Sequence, residues 1–282
     1  MRSLLAIEPI DYLVIGHLAC DLTPSGQRLG GTAAYAGLTA QALGLRVGIV
    51  SAWGQDTALT SLDGIALRGL EVAQCTRFEN IHTGQGRVQY VRQVAENLDY
   101  YLVPESWRTA PLVHLAPIAQ EVEPGLVRRF PQAFLGLTPQ GWLREWDLQG
   151  QVRPAEWPEA SFILANAGAT VLSIEDLAYD EDRIAELSTA SQVLVITEGA
   201  LGARVYWHGD VRRIRAPEVE EVDATGAGDI FAAAFFVRLQ QTRDPWEATR
   251  FANQIAANSV TRPGLAGVPL PQEIEKATVE VL

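Results

Sequence analysis

A carboxylate stands between a run of very small residues and an apolar helical stretch: Asp223-Ala-Thr-Gly-Ala-Gly-Asp229 leads directly into Ile230-Phe-Ala-Ala-Ala-Phe-Phe-Val237. Gly226, Ala227 and Gly228 leave backbone N–H groups unpaired and open just before a helix N-terminus, and with the helix dipole they form an anion site. The same dipole stabilises Asp229 as a carboxylate. An Asp so placed can accept a proton from a hydroxyl while the amides hold a transferring phosphoryl group, which is the positioning and electrostatics that phosphoryl transfer needs. Two plainer readings stand beside this one. Asp229 can simply be a first-turn helix residue after a glycine turn. Gly226-x-Gly228 can be half of a dinucleotide fingerprint, but Ala232 and Ala233 stand where its third glycine belongs. The acidic residue which that fingerprint expects about 20 positions on falls among Gln240-Gln-Thr-Arg243.

Composition narrows the choice. Of 22 basic residues only Lys276 is a lysine, so a phosphate-binding loop built on an internal Lys is excluded, as is the early-strand Lys of protein kinases. Phosphate must be handled by backbone amides, arginine and metal. A net charge of −12 argues against nucleic acid or an anionic membrane as partner. No stretch approaches the roughly 20 apolar residues of a spanning helix. Arg2 and a short apolar stretch, soon interrupted by Glu8 and Asp11, do not make a signal peptide. Cys20 and Cys75 show neither metal nor redox spacing and read as two packed thiols in a reducing cytoplasm.

The elements that would position Asp229 follow a strand–helix rhythm. Asp11–Gly16 reads as a buried strand, Thr32–Leu43 as a small-residue helix opened by Gly30-Gly31, Arg46–Ala52 as a strand ended by a Gly54-Gln-Asp56 turn, and Asp63–Leu70 as a helix. Between about 72 and 101 the polarity alternates, as in Cys75–Phe78 and Gly86–Arg92, which suits a small antiparallel extension rather than a buried parallel sheet. Leu112–Ala116, Ala133–Leu137, Phe162–Ala165 and Val193–Ile196 are the further parallel strands expected. Residues 139–158 read as an ordered loop region whose tryptophans pack. Ala203–Trp207 and Val211–Arg215 form a hairpin around a three-residue turn, His208-Gly-Asp210, and the last third is helical, most regularly over Pro245–Val260.

Taken with Gly30-Gly31 and its helix, the segment from Asp223 to Asp229 resembles the PfkB, or ribokinase-like, carbohydrate kinase family, over nearly the whole chain from Asp11 to about Pro269. The resemblance implies one three-layer α/β domain over 1–282 with a mostly parallel central sheet, and a small β lid from about 16–32 and 72–101. It implies an ATP- and Mg2+-dependent kinase acting on a hydroxyl of a sugar, polyol or nucleoside, with a catalytically weakened sugar- or nucleotide-binding protein of the same fold as the alternative. Asp229 then falls on the catalytic base, and Gly226, Ala227 and Gly228 on the anion hole. Asp21, Gly30, Gly31 and Tyr35 fall on the acceptor side. Thr197, Gly199, Gly202, Thr225 and Asn253 fall on the nucleotide side, with the loop 261–266 closing the pocket. Carbonyls near Asp223 and Thr225 are a place for a monovalent cation, and the lid a place for two copies to pair as a homodimer.

Three departures mark this chain. Ser173-Ile-Glu-Asp176 replaces the family's Asn-x-x-Glu, so Asp176, with Glu175 as its competitor, becomes the candidate for Mg2+. Tyr35 stands where Asn is frequent, and Ala224 where Thr is common. Arg87 in the lid either reaches an acidic group or lies on a solvated strand face. His17 either lines the acceptor pocket or packs.

Overall fold

The computed structural model describes residues 8–279 apart from 25, 56 and 84–85. The chain opens with β1 (Tyr12–Ile15), buried at every position as a parallel strand covered on both faces must be. β2 (Ala19–Thr23), β3 (Gly26–Gly30), α1 (Thr32–Ala42) and β4 (Val47–Gly54) follow. Next come β5 (Ala66–Val72), β6 (Thr76–Thr83), β7 (Gly86–Gln93), β8 (Leu112–Leu115) and β9 (Phe134–Leu137). Then come β10 (Arg144–Trp146), β11 (Val152–Pro154), α2 (Ala160–Ala165), β12 (Ala169–Ser173) and α3 (Glu181–Ala190). The last third holds β13 (Val193–Thr197), β14 (Ala203–Trp207), β15 (Asp210–Ile214), α4 (Ala227–Thr242), α5 (Pro245–Ser259) and α6 (Pro271–Val279).

Nine strands make one sheet in the order β15-β14-β13-β12-β9-β8-β1-β4-β5. From β13 to β5 every pairing is parallel, and the β14 and β15 edge is antiparallel. Alternate side chains leave a strand on opposite faces, so each strand feeds two cores. Tyr12 and Val14 join Ala34, Phe235 and Phe251 of α1, α4 and α5. Leu13 and Ile15 join Ile163, Leu164, Ile184 and Leu187 of α2 and α3. The result is the expected three-layer α/β fold. β3, β2, β6 and β7 form a separate four-stranded sheet, called the small sheet below. The buried Glu121 carboxylate accepts the amides of His17, Ile118 and Ala119, and so joins the chain leaving β1 to the chain leaving β8. Among the described residues no helix is long and apolar enough to cross a membrane.

Four local expectations are corrected. The span 63–70 is not a helix; 66–72 is β5, at the edge of the large sheet. Gly69 decides this: its φ is +130°, and a Cβ there would lie 1.9 Å from the Ser51 carbonyl oxygen where β5 pairs with β4. Phe162–Ala165 lies in α2, and the strand comes one element later, as β12. A four-residue apolar run carries too little periodicity to separate a buried strand from a buried helix. The β14–β15 turn has two residues, His208 and Gly209, both at positive φ, the type I′ geometry that matches strand twist. Cys20 and Cys75 are not two thiols but a disulfide with a Cα–Cα separation of 6.3 Å. Parallel pairing of β2 with β6 brings the two positions within bridging range, across 55 residues of sequence. Asp56, from the expected turn after β4, lies outside the described residues.

Candidate active site

Two of the α-helix starts here are closed by an aspartate side chain. Asp180 accepts the amides of Asp182 and Arg183 at α3, and Asp244 accepts those of Trp246 and Glu247 at α5, where Pro245 fills the first position. α1 and α4 differ. They begin at Gly31 (φ 85°) and Gly226 (φ 79°) with no side-chain cap, which leaves first-turn amides available to a ligand, although the Ala227 amide, expected to be open, donates to the Ala224 carbonyl at 3.2 Å. These two starts meet. Thr32 Oγ1, in the first residue of α1, donates to Asp229 Oδ1 in the first turn of α4 at 2.7 Å. Burial raises the pKa of Asp229 to about 6, opposed by the Thr32 hydrogen bond and the field of Arg144 and reinforced by Asp176 and Asp21.

The glycines around this point are fitted to it. A Cβ at Gly226 would lie 2.3 Å from the Tyr35 ring, so the loop before α4 rests directly on that ring. A Cβ at Gly30 would lie 2.2 Å from Asp21 Oδ2, so the Asp21 carboxylate rests on the bare α-carbon of Gly30. A Cβ at Gly31 would lie 2.7 Å from the His17 carbonyl oxygen. Gly228 has open space where a Cβ would go, on the exposed side of the α4 start.

Asp223 fixes the loop. Its carboxylate accepts the Thr225 and Gly264 amides at 2.9 Å each, and the Val222 and Asp223 amides donate to Val260. Burial raises the Asp223 pKa, but the Thr225 and Gly264 hydrogen bonds outweigh it and hold the carboxyl below its ordinary value. Thr225 thus lies in the loop before α4, held by the same carboxylate that binds the turn at Gly264. Tyr35 is buried beneath it, and burial together with the Asp229, Asp21 and Asp223 carboxylates pushes its phenol well above the ordinary range.

Thr197, Gly199 and Gly202 lie at the carboxyl end of β13, the edge where parallel α/β sheets take ligands. Gly199 and Gly202 have positive φ, 58° and 95°. A Cβ would meet nothing at Gly199, while at Gly202 it would lie 2.1 Å from the Ile214 carbonyl oxygen. Between them the buried Glu198 pairs with Arg204 at 2.7 Å and Arg213 at 2.9 Å. Asn253 lies in α5 and faces the end of β15. It is buried, and its amide group donates to the Ile214 and Arg215 carbonyls, so it pins the end of β15.

Asp176 enters the site after β12. Its carboxylate accepts from Gln140 Nε2 at 3.0 Å and from the Ser173 amide at 3.3 Å, and lies 3.6 Å from the Arg144 guanidinium. Glu175 is exposed on the adjoining turn. Among the described residues no group of three His, Cys, Asp or Glu side chains could hold a metal alone. A single partly engaged carboxylate still fits Mg2+, which keeps water and takes the rest of its shell from donor phosphates. His17 is buried, with its ring nitrogens on Thr76 and the Glu96 carbonyl, so it packs. The Arg87 side chain lies outside the described part of the structure.

Thr32, Gln140 and Arg144 escaped the sequence reading. Thr32 carried a usable signal, standing next to Gly31 at a helix start. Gln140 and Arg144 did not, because they lie in a loop region whose path only the fold defines.

The model of the pfkB family carbohydrate kinases matches residues 159–273, which contain Asp176, Thr197–Gly202 and Asp223–Asp229. A cytidine kinase of Thermococcus kodakarensis is 28% identical over 263 residues, 86% of this chain and 92% of that protein. Among solved structures, a pyrophosphate-dependent kinase of the ribokinase family, complexed with a pyrophosphate analogue and myo-inositol, superposes with a TM-score of 0.78 at 18% identity, covering 94% of this chain and 99% of that one. Arabidopsis thaliana ribokinase complexed with ribose and ATP gives 0.72 at 17% identity over 96% and 99%. The chain is a phosphotransferase with a hydroxyl acceptor, and its residues 159–273 match the pfkB family of carbohydrate kinases.

Proposed function

We propose that this protein transfers the γ-phosphoryl group of ATP to a hydroxyl of a sugar, polyol or nucleoside. The observation that carries the reading is Asp229 itself, a carboxylate with a pKa near 6 where two uncapped helix starts meet. Such a group is ionised at neutral pH yet basic enough to take a hydroxyl proton as the new P–O bond forms. The Gly228 amide at the uncapped start and the α4 dipole face the negative charge of the transferring group. Asp21, resting on Gly30, accepts acceptor hydroxyls and fixes which one faces Asp229. The turn from Thr197 to Gly202 supplies backbone donors on the nucleotide side. Mg2+ would be held through Asp176 and water, and when bound supplies positive charge to the donor phosphates. The small sheet acts as the lid.

The test is release of ADP from Mg-ATP against ribose, fructose, myo-inositol and cytidine, with pyrophosphate as a parallel donor. Asp229→Asn should lower kcat on the accepted substrate by about a thousandfold, within the range general-base catalysis supplies. Ligand-raised melting temperatures with no turnover on any acceptor would instead make the protein a binding protein of the same fold.

A further inference from the structure

We infer that Thr32 is a positioning residue that ties the alignment of Asp229 to the junction between β3 and α1, and hence to the pose of the small sheet over the cleft. The inference rests on the reading of Asp229 as the base. Thr32 is 2% exposed, and its hydroxyl donates to one carboxylate oxygen, Oδ1, at 2.7 Å. That bond fixes the carboxylate plane and leaves Oδ2 to receive the acceptor's proton. Thr32 is itself held from the acceptor side. It follows Gly31, whose φ of 85° and close approach to the His17 carbonyl admit no side chain. Gly31 follows Gly30, on whose α-carbon the Asp21 carboxylate rests. Asp21, Gly30, Gly31, Thr32 and Asp229 therefore form one contiguous chain of contacts, from the group that holds the acceptor to the group that deprotonates it. A movement of β3, or of Asp21 as an acceptor binds, is passed through two glycines to the hydroxyl that aims the base.

The other groups whose fields reach Asp229 come from other elements: Asp21 on β2, Arg144 on β10 and Asp176 after β12, with Tyr12 on β1 and Tyr35 on α1 within range of its charge. Thr32 donates directly to this carboxylate, so its removal should change the proton affinity of Asp229.

The experiment is a carbon-13 NMR titration of the Asp229 carboxyl, assigned by its loss in Asp229→Asn, on wild type, Thr32→Val and Thr32→Ser. Losing a hydrogen bond to the charged form should raise the midpoint in Thr32→Val by about one unit or more, and Thr32→Ser should restore it. On the substrate accepted in the release assay, Thr32→Val should lose roughly tenfold to a hundredfold in kcat with acceptor KM nearly unchanged, and Thr32→Ser should recover most of it. If Thr32→Val does not fold, Thr32→Ala is read in the same way. An unshifted midpoint, or a Ser variant as impaired as the Val variant, overturns the inference. The two readings fail separately: full turnover in Asp229→Asn sinks the base itself, whereas an inactive Asp229→Asn beside a wild-type Thr32→Val sinks only the role of Thr32.

Discussion

Gly226 and Gly228, two residues apart in the anion loop, answer to opposite constraints. Gly226 has φ +79° and the Tyr35 ring against its α-carbon, so a methyl group there is both strained and obstructed. Gly226→Ala should cost roughly 2–4 kcal/mol of unfolding free energy, from backbone strain and overpacking together. Gly228 meets nothing within 4 Å where a Cβ would go and lies in the first turn of α4. Gly228→Ala should therefore hold or raise stability by up to about 1 kcal/mol, while its methyl intrudes on the space read as the phosphoryl site and lowers kcat by about a hundredfold. Urea unfolding and turnover, measured on both variants, separate the two effects; a Gly228→Ala enzyme with normal kcat would move the phosphoryl site elsewhere. Asp229 makes a pH prediction whose sign is fixed. As the proposed base Asp229 works deprotonated, and burial raises its pKa from 3.8 to about 6. Accordingly kcat/KM, which reports the free enzyme, should be level above neutrality and fall through pH 6, losing about tenfold per unit below it. A profile flat down to pH 5 would mean that an ordinary, unburied carboxylate is at work.

At the scale of elements, legibility followed the glycines and the length of the apolar runs. The β1 and β13 strands, α1 and α5 were plain because each joins an apolar or periodic run to a clear turn or cap residue, such as Gly16 after β1, Gly44 after α1 or Asp244 before α5. Where a run was short, pattern could not choose. Phe162–Ala165 forms a helix and Ala169–Ser173 a strand, yet both are brief, apolar and free of a distinguishing period. In β5 the deciding contact is the approach of Gly69 to the Ser51 carbonyl, which does not exist until β4 is alongside. The site divides in the same way. Asp229 and the glycines around it were readable because helix starts and glycine turns are local chemistry. Asp21 and Gly30 were readable only as family positions, and their physical relation, a carboxylate seated on a bare α-carbon, is a product of β2 pairing with β3. The committed amide of Asn253 and the nearness of Arg144 to Asp176 are tertiary facts with no local trace.

For the whole molecule, the division that matters lies between the two sheets. Asp229 is carried by a helix packed on the large sheet, whereas Asp21 belongs to β2 of the small one, so the proposed function has the acceptor held by a body other than the one that bears the base. The small sheet has little core of its own: Ala19, Phe78 and Val91 pack with Ile118 and Ala119 from outside it. The Cys20–Cys75 disulfide compensates, tying β2 to the residue before β6 and closing a loop of 55 residues next to Asp21. Chain entropy assigns a loop of that length about 4 kcal/mol, a large fraction of the net stability of a typical domain. Opening the bond with a phosphine reductant, or replacing Cys75 by Ser, should lower the urea midpoint accordingly. Its kinetic effect should be selective. Thr32 and the α4 start are packed on the large sheet, while Asp21 sits beside the released Cys20, so acceptor KM should rise by more than kcat falls. Equal stability of the oxidised and reduced protein would show that β2–β6 pairing alone holds the small sheet. A loss of kcat with KM unchanged would show that the bond serves the base rather than the acceptor.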